Sequence, residues 1–300
     1  MRDRWIEAET DAVSGRMEII MISFEKAGYL DHDFKMFHIV DRQRKEYEFH
    51  YHDFNKIIIF ISGNTTYTIE GKSYVLQPYD LVLVNAGEIH RPSVLDNSAY
   101  ERIIIYVSPQ FLNTFSEEDY DLNYCFNRAK QEHSNVLRIH SMEKSKLFQV
   151  CQELEHSFSD NAFAKELYQK ILFLEFMIQL NRTAILNHIN YLDSAKDNTK
   201  LVQIIDYINE HLADEISIDS LSAQFYLSRY YLMHFFKEET GYTIGNYITE
   251  KRLLLAKSMV QNGCNITEAC FQSGFKNYST FSRAFKKAFK TIPKNAMFLD

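Results

Sequence analysis

At 300 residues, 46% hydrophobic and 24% charged, the chain is too long for one ordinary core and too apolar for disorder, so a two-domain globular protein is expected. The net charge of −7 speaks against a polyanionic partner for the chain as a whole, but residues 200–300 carry 12 Lys+Arg against 10 Asp+Glu while the rest carry 21 against 30, so only this last third can face nucleic acid comfortably. The longest aliphatic or aromatic run, residues 57–61, falls far short of the roughly 20 residues that span a bilayer, and residues 1–11 are charged, so a cytoplasmic protein without membrane contact is expected.

From residue 35 to 107 the chain is a series of short runs rich in β-branched and aromatic residues: 36–40, 47–51, 57–62, 65–70, 74–76, 81–84 and 102–107. Gly71-Lys72 is expected to close a hairpin between the Tyr67 and Tyr74 segments. Many short strands at regular spacing predict a sandwich or a barrel. After Ser108-Pro109 the period changes, and residues 142–158 and 163–186 place apolar residues at helical spacing, as in Leu147, Val150, Cys151, Leu154 and Phe158. The second of these helices has more large apolar residues than one partner can bury, which predicts packing on the sheet or a homodimer seam. The four cysteines, Cys125, Cys151, Cys264 and Cys270, form no C-x-x-C pair and read as buried free thiols. The domains are expected at 1–191 and 201–300, with residues 192–200 as the linker.

The segment from Leu201 onward contains an internal duplication offset by about 48 to 49 residues. The first copy runs Ile218-Asp-Ser-Leu221, a turn near Tyr226-Leu227, and Ser228-Arg-Tyr-Tyr-Leu-Met-His-Phe-Phe-Lys237. The second runs Ile266-Thr-Glu-Ala269, a turn at Gly274-Phe275, and Asn277-Tyr-Ser-Thr-Phe-Ser-Arg-Ala-Phe-Lys286. Each is a short helix, a tight turn and a second helix opened by a good N-cap, Ser228 or Asn277, which is the grammar of a helix-turn-helix. Leu232, Phe235, Phe236, Phe281 and Phe285 read as core. Arg229, Tyr230, Met233 and His234, then Tyr278, Ser279, Thr280 and Arg283, read as the outward faces that reach base edges, with Lys286 and Lys287 on phosphates. The helix expected between the copies makes a spacer of roughly 30 Å, close to one turn of DNA, and two heads held slightly closer than successive major grooves favour bent double-stranded DNA. Tyr230, Met233 and Tyr278 favour thymine methyls, and Arg283 is suited to guanine.

Leu227-Ser-Arg-Tyr-Tyr-Leu, Phe236-Lys-Glu-Glu-Thr-Gly241, Tyr247-Ile-x-x-Lys-Arg-Leu-x-x-Ala-Lys257 and Gly274-Phe-Lys-Asn-Tyr-Ser-Thr-Phe-Ser-Arg-Ala-Phe-Lys286 together resemble the AraC/XylS-type transcriptional regulators. The resemblance implies a DNA-binding domain of two helix-turn-helix units joined by a long helix, and an N-terminal effector-sensing domain. Lys290 departs from the usual Gly, and residues 296–300 lack the usual Tyr-Arg.

His50-x-His52-x3-Lys56-x6-Gly63 and Gly87-x-x-His90 resemble the two cupin motifs, which implies a cupin-like β-barrel carrying the two-helix segment. Lys56 stands where that pattern has the metal-binding Glu, and an ammonium beside a cation is unfavourable, so no metal or other cofactor is expected. A ligand pocket, a metal site and a tethered enzyme are the three readings of this cluster. The AraC-type resemblance favours the first, with His50, His52, Lys56, Tyr67, His90 and Arg91 offered to a small polar effector, a sugar by analogy of fold, and no catalytic residues.

Overall fold

The computed structural model describes residues 30, 32–42, 46–186 and 189–298, so the charged 1–11 segment and the last two residues lie outside the described part. Among the described residues there are ten strands: β1 (Phe34–Asp41), β2 (Asn55–Ser62), β3 (Thr65–Ile69), β4 (Lys72–Val75), β5 (Leu81–Val84), β6 (His90–Val94), β7 (Tyr100–Val107), β8 (Val136–Ile139), β9 (Ile189–Tyr191) and β10 (Lys196–Asp197). They form two sheets, one in the order β1-β7-β2-β5-β8-β9 and one in the order β10-β4-β3-β6, with every ladder antiparallel.

Neither sheet closes, which corrects the expected cupin-like barrel. Strand length and spacing are the same for a barrel as for two open sheets, and what separates them is whether edge strands pair. Here β1 and β9 end one sheet, and β10 and β6 end the other. Alternate residues of β2 explain why its apolar run is uninterrupted. Ile58 and Phe60 pack with Tyr67, Ile69, Tyr74 and Tyr100 between the sheets. Ile57 and Ile59 pack on the opposite face with Leu83, Ile103 and Ile105, beneath helices.

Those helices are α1 (Pro109–Thr114), α2 (Tyr124–Gln131), α3 (Lys146–Ser157) and α4 (Lys165–Ile185). Ser145 caps α3 by accepting from the Phe148 N–H, and its buried Leu147, Val150, Cys151 and Leu154 face α4 and the sheet. On α4, Leu172, Phe173, Phe176, Met177 and Leu180 are buried, whereas Leu167, Ile171, Ile178 and Ile185 are exposed. All four cysteines are free thiols.

Residues 47–51, expected as a strand, are irregular apart from one bridge between His50 and His90. Conversely, β6 contains Pro92, tolerable because β6 is an edge strand. Within 192–200, β10 pairs with β4 before helix α5 (Thr199–Glu210) begins.

The C-terminal part continues with α6 (Ile218–Phe225), α7 (Arg229–Thr240), α8 (Ile244–Gln261), α9 (Ile266–Gln272) and α10 (Tyr278–Phe289), then a 3₁₀ turn at Pro293–Phe298. Asn198, Ser217, Ser228, Thr243, Asn265 and Asn277 each cap the following helix by accepting a backbone N–H. Leu221, Leu232 and Phe236 share one core with α5 and the start of α8, and Phe281, Phe285 and Cys270 share another with its end. Phe235 is half-buried and stacks on Tyr231.

Candidate nucleic-acid interface and effector site

Two helix-turn-helix units, α6–α7 and α9–α10, are held by α8, which at 18 residues is about 27 Å long. The burial of Leu232 and Phe236 in α7, and of Phe281 and Phe285 in α10, fixes which face of each second helix turns outward. All ten side chains expected to meet DNA are exposed: Arg229, Tyr230, Met233 and His234 on α7, and Tyr278, Ser279, Thr280, Arg283, Lys286 and Lys287 on α10.

Several of these groups are partly restrained. Arg229 pairs with Asp219 of α6 at 3.0 Å, with both side chains well exposed. The Tyr230 and His234 rings lie 4.3 Å apart. Arg283 donates Nε–H to the Ser279 carbonyl at 3.3 Å, so its guanidinium folds along its own helix and must swing out to reach a base. Lys287 lies near enough to Glu250 to offset part of the upward push that burial gives that carboxyl. Tyr226, nearly wholly exposed, sits at the turn expected in the first copy, and its left-handed backbone, φ 55°, matches Gly274 at φ +91° in the second.

In the N-terminal part the structure gathers five of the six expected effector residues. His50 and His90 each engage a backbone carbonyl through Nδ1, of Glu48 at 2.9 Å and of Glu88 at 2.8 Å, which turns both Nε2 atoms inward. The ring nitrogens of His50, His52 and His90 lie within 4.8 Å of one another, close enough for a metal. Lys56 Nζ, however, stands 3.4 Å from His90 Nε2 and donates to the Tyr67 hydroxyl at 3.3 Å, so a cationic group already faces the imidazoles. Burial pushes the Lys56 ammonium down to about 7. Burial, and then the Lys56 charge, take His50 to about 4 and His90 well below the usual histidine range. Arg91 is not part of the cluster: the alternation of β6 puts it on the opposite face from His90, with its guanidinium 4.1 Å above the Phe49 ring. Phe54 and Tyr106 complete the aromatic surround of His52, a contribution visible only once β2 and β7 are paired.

The same segment meets the DNA-reading scaffold. His50 and His52 face the cluster, while the residues between and beside them, Phe49, Tyr51 and Asp53, turn toward the helices. Phe49 and Tyr51 join the core of α5–α8. Tyr51 donates its hydroxyl hydrogen to Glu250 at 2.6 Å, and Lys257 pairs with Asp53 at 3.0 Å in a buried ion pair. Glu70, at the β3–β4 turn, accepts from Tyr247 at 2.6 Å and from Lys251 at 3.0 Å. Tyr247, Glu250, Lys251, Leu254 and Lys257 recur at spacings of three and four, so one stripe of α8 is devoted to the N-terminal half.

Comparison with known proteins places these two halves. Residues 35–172 match the AraC-like ligand binding domain family, and residues 221–297 match a helix-turn-helix domain family. The chain is 24% identical over 253 residues to the HTH-type transcriptional activator RhaS of Shigella sonnei, covering 82% of this chain and 86% of that one, and 23% identical over the same length to RhaS of Escherichia coli. Among solved structures it is similar to ToxT from Vibrio cholerae O395, at 17% identity and TM-score 0.37 over 89% of this chain and 98% of that one. The two RhaS relatives are transcriptional activators, not enzymes, and among the described residues no helix is long and apolar enough to cross a membrane. The chain is thus similar to two-domain transcriptional regulators of AraC/XylS type, its match to an AraC-like ligand-binding domain lying ahead of its match to a helix-turn-helix domain.

Proposed function

We propose that this regulator reads two unlike half-sites about one DNA turn apart, using Arg229, Tyr230, Met233 and His234 for one and Tyr278, Ser279, Thr280 and Arg283 for the other, with Lys286 and Lys287 on phosphates. The observation that carries this reading is that two helices with matching caps and cores differ at every proposed base-reading position. A small-molecule effector, a sugar in the first instance, is bound at His50, His52, Lys56, Tyr67 and His90. The working division of the chain is 1–191 for sensing and dimerisation, 192–200 as connection and 201–300 for DNA, acting in the cytoplasm as a homodimer.

An effector regulates only if it binds one arrangement of the two halves better than another. Residues 49–53 support such coupling, because neighbouring side chains touch the histidine cluster and α8 in turn. DNA titration tests the base-reading assignment: Arg283→Ala should cost about 1–3 kcal/mol on the preferred site and relax selectivity at one position. An equal loss on all sequences would remove Arg283 from base reading.

A further inference from the structure

The two helix-turn-helix units pack on separate stretches of α8, and their apolar cores share none of the described residues. Ile244, Tyr247 and Ile248 belong to the first core, and Leu253, Ala256 and Val260 to the second. A bend of about 10° in a spacer about 27 Å long would carry its far end roughly 5 Å, more than one base-pair step of about 3.4 Å. Reading two half-sites at one fixed separation therefore needs a brace besides the spacer itself.

Arg252, on α8 between those two stretches, supplies one. Its Nε–H donates to the Leu212 carbonyl at 2.8 Å and its Nη2 to the Asp214 carbonyl at 2.6 Å, so one guanidinium fork grips the loop that leads from α5 into α6. Leu212 also packs against the first core. The same fork meets the second unit. A Cβ at Gly274, in the turn between α9 and α10, would lie 2.7 Å from Arg252 Nε, 2.9 Å from its Cζ and 2.1 Å from the Leu212 carbonyl oxygen. The turn of the second unit thus sits directly against both the fork and the loop that the fork holds. An ionised, planar donor making two bonds fixes orientation as well as distance, which a single-headed donor does not. Lys276, two residues beyond Gly274, pairs with Glu215 of the same loop, but these side chains are 72% and 74% exposed, and such pairs contribute little.

We propose that Arg252 is a positioning residue for DNA reading: by bracing the α5–α6 loop against the α9–α10 turn it fixes α7 and α10 in one relative orientation, and so confines recognition to one separation of the two half-sites. The inference rests on the two-half-site reading above and adds to it the residue that sets the spacing.

Equilibrium binding of the full chain tests it, on duplexes carrying the half-sites that the wild-type protein selects, with one or two base pairs inserted or deleted between them and with either half-site scrambled. A change of one base pair should cost the wild type at least roughly tenfold in affinity. Arg252→Met keeps an apolar stem but removes the fork, and should cut that discrimination to under about threefold while each half-site keeps its own base preferences. Arg252→Lys, which keeps charge and bulk but cannot grip two carbonyls in the same way, should relax spacing in the same direction and serves if the methionine variant does not fold. A role in stability alone would lower the melting temperature, or the affinity at every spacing equally, with the spacing profile of the wild type retained. That result overturns the proposal, as does a wild-type protein that needs both half-sites yet binds all spacings alike, and in either case the two-half-site reading stands. If the wild type selects one half-site only, or loses nothing when one is scrambled, that reading falls and this proposal with it.

Discussion

Tyr247 on the helix between the two reading units donates its hydroxyl hydrogen to Glu70, 2.6 Å away and 177 residues earlier in the chain. Glu70 sits in a two-residue hairpin turn with Gly71, at φ 48° and 83°, the positive values such turns demand and a glutamate resists. Its carboxylate also takes the Ile89 N–H at 2.8 Å and Lys251 at 3.0 Å, so the turn is held by what it clasps. Glu70→Ala should lower the stability of the full chain by about 2–4 kcal/mol in urea unfolding, because it strands a buried hydroxyl and an ammonium together. A loss confined to a few tenths would mean that α8 is not anchored there.

Stability should rise with pH in two windows. Unfolded, Lys56 holds its proton to 10.5, and folded it gives it up near 7, so between these values the unfolded chain carries more protons and stability climbs as pH increases. The burial penalty is complete below pH 7. His50, lowered from 6.5 to about 4, adds a loss of stability as pH falls across that interval. Each group contributes at most about 1.4 kcal/mol per pH unit. Lys56→Met should stabilise the protein at neutral pH by about 1–4 kcal/mol and flatten the upper window, as read from denaturant midpoints against pH.

The two helix-turn-helix turns solve one backbone problem with different residues. At Gly274 a Cβ would come within 2.1 Å of the Leu212 carbonyl oxygen and 2.7 Å of Arg252 Nε, so Gly274→Ala should destabilise the second unit by more than the roughly 1 kcal/mol of left-handed strain alone. At Tyr226 only that strain applies, and Tyr226→Gly should be neutral or stabilise by up to about 1 kcal/mol. Thermal unfolding of the two variants would reveal the contrast, and equal effects would refute it.

Leu167, Ile171, Ile178 and Ile185 leave an apolar stripe on α4 in contact with solvent. If that stripe is the homodimer seam, Ile171→Glu should convert the full chain from dimer to monomer in sedimentation velocity while leaving its circular dichroism unchanged. A wild-type monomer at micromolar concentration, or a dimer untouched by the substitution, would move the seam elsewhere.

The DNA-reading half was legible in the sequence because each signal there is local. N-caps three residues ahead of bonded N–H groups, and paired phenylalanines at helical spacing, do not depend on distant chain. The other half depends on partners. Ile57 to Phe60 read correctly as strand, yet whether the sheet closed was decided by β1, β6, β9 and β10 at its edges, where no residue pattern announces pairing. Pro92 hid β6, and with it the consequence that His90 and Arg91, being consecutive in a strand, must face opposite ways. The role of the polar stripe of α8, from Tyr247 to Lys257, depends on Glu70, Tyr51 and Asp53, which only the fold brings against it.

The central claim, that one chain reads two different half-sites through α7 and α10, is tested most directly by selecting bound sequences from a random duplex pool with the full protein and with Met233→Ala and Arg283→Ala. The account predicts two dissimilar motifs about 10 bp apart, the first relaxed by Met233→Ala alone and the second by Arg283→Ala alone. Recovery of a single motif that either substitution degrades throughout, or of no motif at all, would contradict it.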